Sequence, residues 1–404
     1  MDVSTARRLV GPDGAPVLAA AADLLPASTL TALAALRKRF PPDLAAAAVE
    51  VVTLRARARA KFAAADRMWF TREALEQASG DLPSAHRAER LNRFATVLDL
   101  GCGVGADTLA LAAAGCRVEA VDADPVRLAL AEANAVALGV AARIRFHGGD
   151  VLTTALPPAD AAFTDPGRRA GDRRFLDPDR YEPPLSAVLG RFPAGFPLAA
   201  KIAPGVPRDA LARFDAEAEF VSAGGELKEC VLWFGPLRTA ARRATMLPGP
   251  HTLAAEADGE MPYAEPIGDY LFDPDPSVIR ADLVGLLAAQ LGAAPVEPGV
   301  ALLTGPAAAS PFVTAYRVEH VAPLDAKKLR EYFRAAGVGR VTVLKRAIDA
   351  DADAFRKGLK LGGGDGHRHV VLTRAGGKAV AVVCNPEPAP SGVGAHAARD
   401  GSDP

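Results

Sequence analysis

The sequence predicts an α/β protein: a parallel sheet with flanking helices over residues 91–236, a helical region over 1–90, and a small α+β domain over 310–386. Three observations predict it. Short β-branched runs alternate with helical stretches between 91 and 236, which is how βαβ units read in a sequence. Residues 1–90 are dominated by Ala, Leu, Arg and Glu, with Ser28 and Pro41 to Asp43 as cap and breaker signals. Residues 310–386 alternate strand and helix patterns over shorter distances.

The strands expected in the sheet are Thr96 to Asp99, Arg117 to Asp122, Ile144 to His147, Asp160 to Asp165 and Leu198 to Ile202. Two more, near Phe220 to Ser222 and Glu226 to Phe234, flank Gly224-Gly225, a pair that suits a hairpin turn. Residues 237–309 form a connecting α+β region rich in Pro, Gly and Ala, in which Val278 to Leu291 has helical spacing after an Asp-Pro-Ser start. In the last domain, strands are expected at Phe312 to Val318, Val341 to Lys345, His369 to Thr373 and Ala379 to Cys384. Helices are expected there at Asp325 to Ala336 and Asp353 to Leu359. The Pro/Gly/Ala/Asp-rich tail, 387–404, is expected to be disordered.

Composition narrows the function classes. The chain has 404 residues, 50% hydrophobic and 24% charged, enough for two or three domains with real cores. A net charge of -1 carries no global nucleic-acid signature, so any basic surface is local. No membrane attachment is expected: no apolar run spans a bilayer, and Asp23 and Pro26 interrupt the Ala/Leu-rich stretch from Val17 to Leu36. The start lacks a signal-peptide pattern, and the scattered Cys102, Cys116, Cys230 and Cys384 form no CxxC pair. A reducing cytoplasm and no disulfide framework are expected. No metal site is expected either, since His367-Arg368-His369 has no acidic or cysteine neighbours at ligand spacing.

The strongest motif is the stretch from Val97 to Thr108, where a buried strand ends in Asp99 and runs through Gly101, Gly103 and Gly105 into a helix near Asp107. Glycines let the backbone turn tightly and approach a ligand. They do not discriminate, because Gly101-x-Gly103-x-x-Ala106 also fits the dinucleotide fingerprint. Asp99 discriminates: a carboxylate there repels a pyrophosphate but suits the sulfonium and ammonium of S-adenosylmethionine. Asp122 ends the next strand about 20 positions on, the usual distance to a ribose-binding carboxylate. Asp124 reads as the cap of the helix starting at Pro125. Asp150, after the third strand, is placed to accept the adenine amino hydrogen.

The series Asp99-Leu-Gly-Cys-Gly-Val-Gly, Val121-Asp122, Gly149-Asp150 and Asp165-Pro166 resembles the class I S-adenosylmethionine-dependent methyltransferases, in the right order. That resemblance implies a Rossmann-like sheet. The wider chain is similar to a bacterial subgroup with a THUMP-like C-terminal domain. The narrower likeness rests on Arg67 to Ser79, Thr164 to Arg169, Gly225 to Glu229 and the C-terminal domain.

By the same resemblance, Asp165-Pro166-Gly167-Arg168-Arg169 stands where methyltransferases acting on exocyclic or ring-edge nitrogens carry [Asp/Asn]-Pro-Pro-aromatic. An acidic oxygen and a backbone carbonyl there align the amine's lone pair for in-line displacement. Asp165 and Pro166 are therefore the candidate catalytic residues. Gly167 replaces the second proline, and Arg168 and Arg169 replace the stacking aromatic. Those arginines either hold phosphate or carboxylate groups of a substrate or pair with acids such as Asp172 and Asp177. Trp69 and Phe70 are the alternative stacking platform, or else simply core. Gln77 and Ser79 are placed to reach the cofactor from the same extension. Glu226, Lys228 and Glu229 read best as solvated strand faces.

Phe312 to Cys384 carries 14 Lys/Arg against 7 Asp/Glu, so an anionic partner is expected for this segment. THUMP-like resemblance points to RNA. The function expected is methylation of a nucleobase nitrogen in RNA. The alternatives are a small-molecule or protein methyltransferase, or a cofactor-binding module without turnover. A second basic stretch, Arg55, Arg57, Arg59 and Lys61, wraps around its helix and defines no single face.

Overall fold

Side chains that bond to their own backbone set many of the element ends. Asp2, Ser28, Thr71 and Asp124 each accept a hydrogen bond from the first turn of the helix that follows. The computed structural model describes residues 1–25, 28–170, 173–257 and 260–387, without the side chains of 169, 170, 173 and 174. The expected disordered tail lies outside the described residues apart from residue 387. The chain divides into two compact units: Met1–Glu217 with Glu229–Thr239, and Ala218–Lys228 with the chain from Ala240 on.

The first unit begins with helices α1 (Val3–Val10), α2 (Gly14–Leu24), α3 (Thr29–Leu36), α4 (Pro42–Ala58), α5 (Arg72–Gln77) and α6 (Asp81–Leu91). Strands β1 (Thr96–Leu100), β2 (Arg117–Asp122), β3 (Ile144–Gly148), β4 (Ala161–Thr164) and β5 (Leu198–Ile202) follow, all pairing in parallel. Helices α7 (Ala106–Ala113) and α8 (Pro125–Ala137) link the first three, and α9 (Leu185–Leu189) and α10 (Arg208–Leu211) stand before and after β5. After β6 (Ala216–Ala223) and a turn through Gly224 and Gly225, at φ +61° and +73°, β7 (Glu226–Phe234) runs antiparallel to β5. The strand order within the unit is β7-β5-β4-β1-β2-β3. The five parallel strands and β7 lie within a residue of their sequence expectations, whereas β6 begins four residues before the expected Phe220. The helical region is not a separate domain: Ala6, Leu54, Phe62, Met68, Phe70 and Leu91 share one apolar cluster with Val97, Val118, Leu130 and Ile144 of the sheet and its helix.

In the second unit, β6 pairs in parallel with β8 (Arg242–Leu247), which pairs antiparallel with β9 (His251–Ala255). A seven-stranded sheet is built from β10 (Tyr270–Pro274), β11 (Ala294–Pro295), β12 (Leu303–Gly305), β13 (Val313–Pro323), β14 (Val338–Lys345), β15 (Gly366–Ala375) and β16 (Lys378–Pro386). The order is β11-β12-β10-β13-β16-β15-β14. Three strands of this sheet, β10, β11 and β12, come from the connecting region, whose Pro and Gly content hides them in the sequence. The single helix expected over Val278 to Leu291 is two, α11 (Pro276–Arg280) and α12 (Val284–Leu291), because Asp282 sits between them at φ +59°. Helices α13 (Ala326–Ala335) and α14 (Ala352–Leu359) are capped by Asp325 and Asp351.

Candidate methyl-transfer site

The loop after β1 has the conformation its glycines permit. Gly101, Gly103 and Gly105 stand at φ +83°, +58° and +89°. A Cβ on Gly101 or Gly103 would meet nothing within 4 Å, so these positions border open space that a ligand can enter. At Gly105, which starts α7, a Cβ would press on Ala131 at 3.4 Å, so this glycine serves close helix packing.

Four aspartates stand at the strand ends and helix starts near this loop or the next. Asp99 is 1% exposed and accepts a hydrogen bond from the Thr108 hydroxyl. Burial, reinforced by the Asp107 carboxylate, pushes its carboxyl up to about 8. Asp99 is thus a buried carboxyl at the end of β1, on the strand that leads into the glycine loop. Asp122 is 7% exposed; it accepts from the Gly103 amide at 2.8 Å and the Asp124 amide at 2.8 Å, which ties the tip of β2 to the loop. Asp124 caps α8 as expected, accepting from Val126 and Arg127. Asp150 is exposed and accepts from the Leu152 amide at 2.8 Å.

Below this cradle lies a charge cluster that the sequence reading missed. Arg87 of α6 is 1% exposed and pairs with Asp107 at 2.9 Å and with Glu229 of β7. Burial opposes its charge, yet the two carboxylates outweigh burial and hold the guanidinium above its ordinary pKa. The expectation of a solvated Glu229 is corrected, since it is 2% exposed. Glu226 and Lys228 do stand on a partly solvated face, paired at 2.5 Å.

The second loop of the site follows β4. Leu100 and Thr164 are register partners on β1 and β4, so the glycine loop and the Asp165 loop leave the sheet side by side. In open parallel sheets, ligands bind at this end of the strands. Asp165 is held by the Lys201 ammonium from β5. Pro166 is buried, and Gly167 exchanges backbone hydrogen bonds with Glu182 at 2.9 Å each way. The Arg168 side chain, half-buried, has no ion-pair partner among the described residues; Asp177, offered as one, pairs with Arg213 instead. The Arg169 side chain and Asp172 lie outside the described residues, although the Arg169 backbone pairs with Arg174 in a two-residue ribbon. Tyr181 is 2% exposed and accepts from the Ala203 amide at 3.0 Å. Lys201 went unread, although a lysine inside the apolar run Leu198-Ala-Ala-Lys-Ile202 was a usable signal.

The extension carrying Trp69 and Phe70 is pinned to the glycine loop. Asn134 of α8, fully buried, accepts from the Trp69 amide at 2.7 Å and donates to Trp69 O at 3.1 Å and Val104 O at 2.9 Å. Arg55 lies over the Trp69 ring at 4.8 Å, and Lys61 donates to the carbonyls of Leu75 and Ala78 at 2.8 and 3.0 Å. Those two basic residues thus fasten the extension. Phe70 is fully buried against Phe62, with ring centroids 5.5 Å apart, so it is core rather than platform. Trp69 is half-buried with Arg55 on its ring. Gln77 bonds to Glu73 at 3.2 Å, and the buried Ser79 hydroxyl has no hydrogen-bond partner among the described residues. Among the described residues no helix is long and apolar enough to cross a membrane.

A Rossmann-like sheet with a glycine cradle, acidic strand tips and a second polar loop beside it defines a class, the S-adenosylmethionine-dependent methyltransferases. Comparison with known proteins agrees. A methyltransferase domain family matches residues 97–164, a THUMP domain-like family 313–386, and a domain family of unknown function 2–58. An uncharacterized S-adenosylmethionine-dependent methyltransferase of Mycobacterium tuberculosis is 33% identical over 365 residues, covering 87% of this chain and 99% of that one. The chain belongs to this methyltransferase family. An uncharacterized RNA methyltransferase of Parasynechococcus marenigrum is 34% identical over 91 residues, 22% of this chain and 20% of that one. The crystal structure of a candidate methyltransferase from Porphyromonas gingivalis shares the fold, with a TM-score of 0.74 and 21% identity over 91% of this chain and 97% of that chain.

Proposed function

We propose that the methyl acceptor is a nucleobase nitrogen in RNA. The observation that carries this reading is the pairing of Leu100 with Thr164, which sets the donor loop and the Asp165-Pro166 turn next to each other. Bound S-adenosylmethionine supplies an electrophilic methyl group. Asp99, Gly101, Gly103, Gly105, Asp122 and Asp150 hold the donor. The loop amides and Asp122 fix its amino-acid and ribose parts, and Asp150 receives the adenine amine.

Asp165 has one carboxylate oxygen on Lys201. Its other oxygen accepts a hydrogen bond from the acceptor N–H, with the Pro166 carbonyl as the second acceptor. This geometry aims the nitrogen lone pair at the methyl carbon, so positioning supplies most of the rate. The N–C bond would form as the methyl–sulfur bond breaks, with the neutral thioether as leaving group, and the proton then in excess on the nitrogen would pass to solvent water. Arg168, without an ion-pair partner among the described residues, contacts a phosphate of the substrate. Trp69 borders the same approach. The excess of 14 basic over 7 acidic residues in Phe312 to Cys384 and the partial match to an RNA methyltransferase support RNA as the substrate class.

Two experiments test the reading. Tritiated-methyl transfer is measured against fractionated cellular RNA, protein and metabolites, and label is expected in RNA. Modified-nucleoside profiles of total RNA from a deletion strain and its parent should differ by one methylated base. Label confined to protein or metabolites overturns the reading.

A further inference from the structure

The basic residues of the C-terminal domain are not evenly matched with acids. Most of its arginines are engaged: Arg368 with Glu319 at 2.6 Å, Arg317 with Glu387 at 3.4 Å, Arg346 with Asp273, and Arg330 with the carbonyls of Gly358 and Leu359 at 2.7 and 3.1 Å. Arg340, Lys357 and Lys360 have no ion-pair partner among the described residues. All three line one cavity of about 480 Å³. Thr342, Arg356 and His367 complete its polar wall, and no carboxylate residue lines it.

The permanent cations of the cavity come from two elements, α14 and β14, with different reasons to be basic. Lys357 and Lys360 lie at the C-terminal end of α14, where cations complement the exposed carbonyls. That explanation cannot reach Arg340, which enters from the start of β14 opposite His367 of β15. The start of β14 and the segment leading into β15 close tightly because glycines face each other there: a Cβ on Gly339 would lie 1.7 Å from the Gly364 carbonyl oxygen. His367 is held by a 2.9 Å contact between its Nε2 and the Thr342 hydroxyl. The result is a concave wall of four permanent cations, of which Arg356 alone has an ion-pair partner among the described residues, Asp353 at 3.1 Å, while the Asp351 carboxylate lies within electrostatic reach of Lys357. Like charges gathered this way repel one another and are favoured by an anion between them.

We propose that this cavity is a phosphate-binding subsite that seats the sugar-phosphate backbone of the RNA substrate, away from the methylated base. The proposal rests on the reading that the substrate is RNA. Lys and Arg donors of this kind bind phosphate oxygens without reading sequence, so the subsite contributes affinity and register rather than base choice.

The test compares the full-length protein with two variants of equal charge change: Arg340→Gln/Lys357→Gln/Lys360→Gln in the cavity, and Lys327→Gln/Lys328→Gln/Arg334→Gln on exposed positions of α13. Binding of a fluorescein-labelled single-stranded RNA of mixed sequence is followed by anisotropy over a salt series. The cavity variant is expected to bind about tenfold or more weakly and to lose about 2 from its log–log salt slope, since each single-strand phosphate contact contributes about 0.7. The α13 variant should stay within about twofold of wild type. The single Arg340→Gln variant, expected to show a smaller loss in the same direction, covers the case in which the triple variant does not fold. Equal losses in both triple variants overturn the subsite and leave the RNA reading standing. No RNA binding by the wild type overturns both. Displacement of the RNA by inorganic phosphate at matched phosphate concentration assigns the cavity to the free anion and overturns its role in RNA binding.

Discussion

Lys201 on β5 holds the carboxylate of Asp165 on the loop after β4, and the two side chains are 6% and 21% exposed. The methyl-transfer loop is therefore braced by a charge from the neighbouring strand. A braced carboxylate keeps one oxygen fixed, and under the proposed function the other is left to meet the acceptor. Charge-assisted hydrogen bonds of this kind are the stronger class.

Replacing Asp165 by Ala is expected to lower methyl transfer by about 10²-fold or more while donor affinity stays within about twofold. Lys201→Met should act the same way but less strongly, with Lys201→Arg recovering part of the loss because the ion pair is kept. Calorimetric donor binding and single-turnover transfer to RNA separate the two effects. A large loss of donor affinity in either variant would place these residues in the donor pocket instead.

Asp122 bonds two backbone amides, one of them from the glycine loop at 2.8 Å. Asp122→Ala should weaken the donor by about tenfold to a hundredfold, from the loss of hydrogen bonds to a charged group worth about 1.5–3 kcal/mol. Asp122→Asn should lose less, because one oxygen remains. Equilibrium dialysis with labelled donor checks both.

The contrast between Asp122 and Lys201 shows what the sequence made legible. Asp122 could be read because strand, glycine loop and acidic tip are local signals at near-fixed spacing. Lys201 meets Asp165 across 36 residues, and Arg87 meets Glu229 across 142, so only the sheet order brings them together. Periodicity could not separate Phe70, which is core, from Trp69, which is half-buried. Nor could it show that Asp99 is buried, because strand-end position fixes a residue's place but not its solvent access.

The Arg87 cluster predicts a stability effect. Its guanidinium is 1% exposed and faces the carboxylates of Asp107 and Glu229. Arg87→Met would leave two buried carboxylates facing each other, at a cost of about 3–5 kcal/mol. Glu229→Gln should cost less, since Asp107 still pairs with the arginine. Urea unfolding midpoints measure both losses. An Arg87→Met midpoint equal to that of wild type would show that water or a rearranged partner meets the charge.

Donor binding should depend on pH through Asp99. In the free protein, burial pushes this carboxyl up to about 8, so at pH 7 it is mostly protonated. A cationic donor beside it favours the carboxylate and lowers that value. Binding at pH 7 therefore releases a proton, and affinity rises with pH until it levels off above about 8. The sign is opposite to that of an already ionised Asp, for which affinity would be flat across this range. Calorimetry in buffers of different ionisation enthalpy should record release of close to one proton at pH 7. Asp99→Asn should abolish both the release and the slope. Proton uptake on binding, or a slope that survives the substitution, would remove Asp99 from the donor's electrostatic neighbourhood.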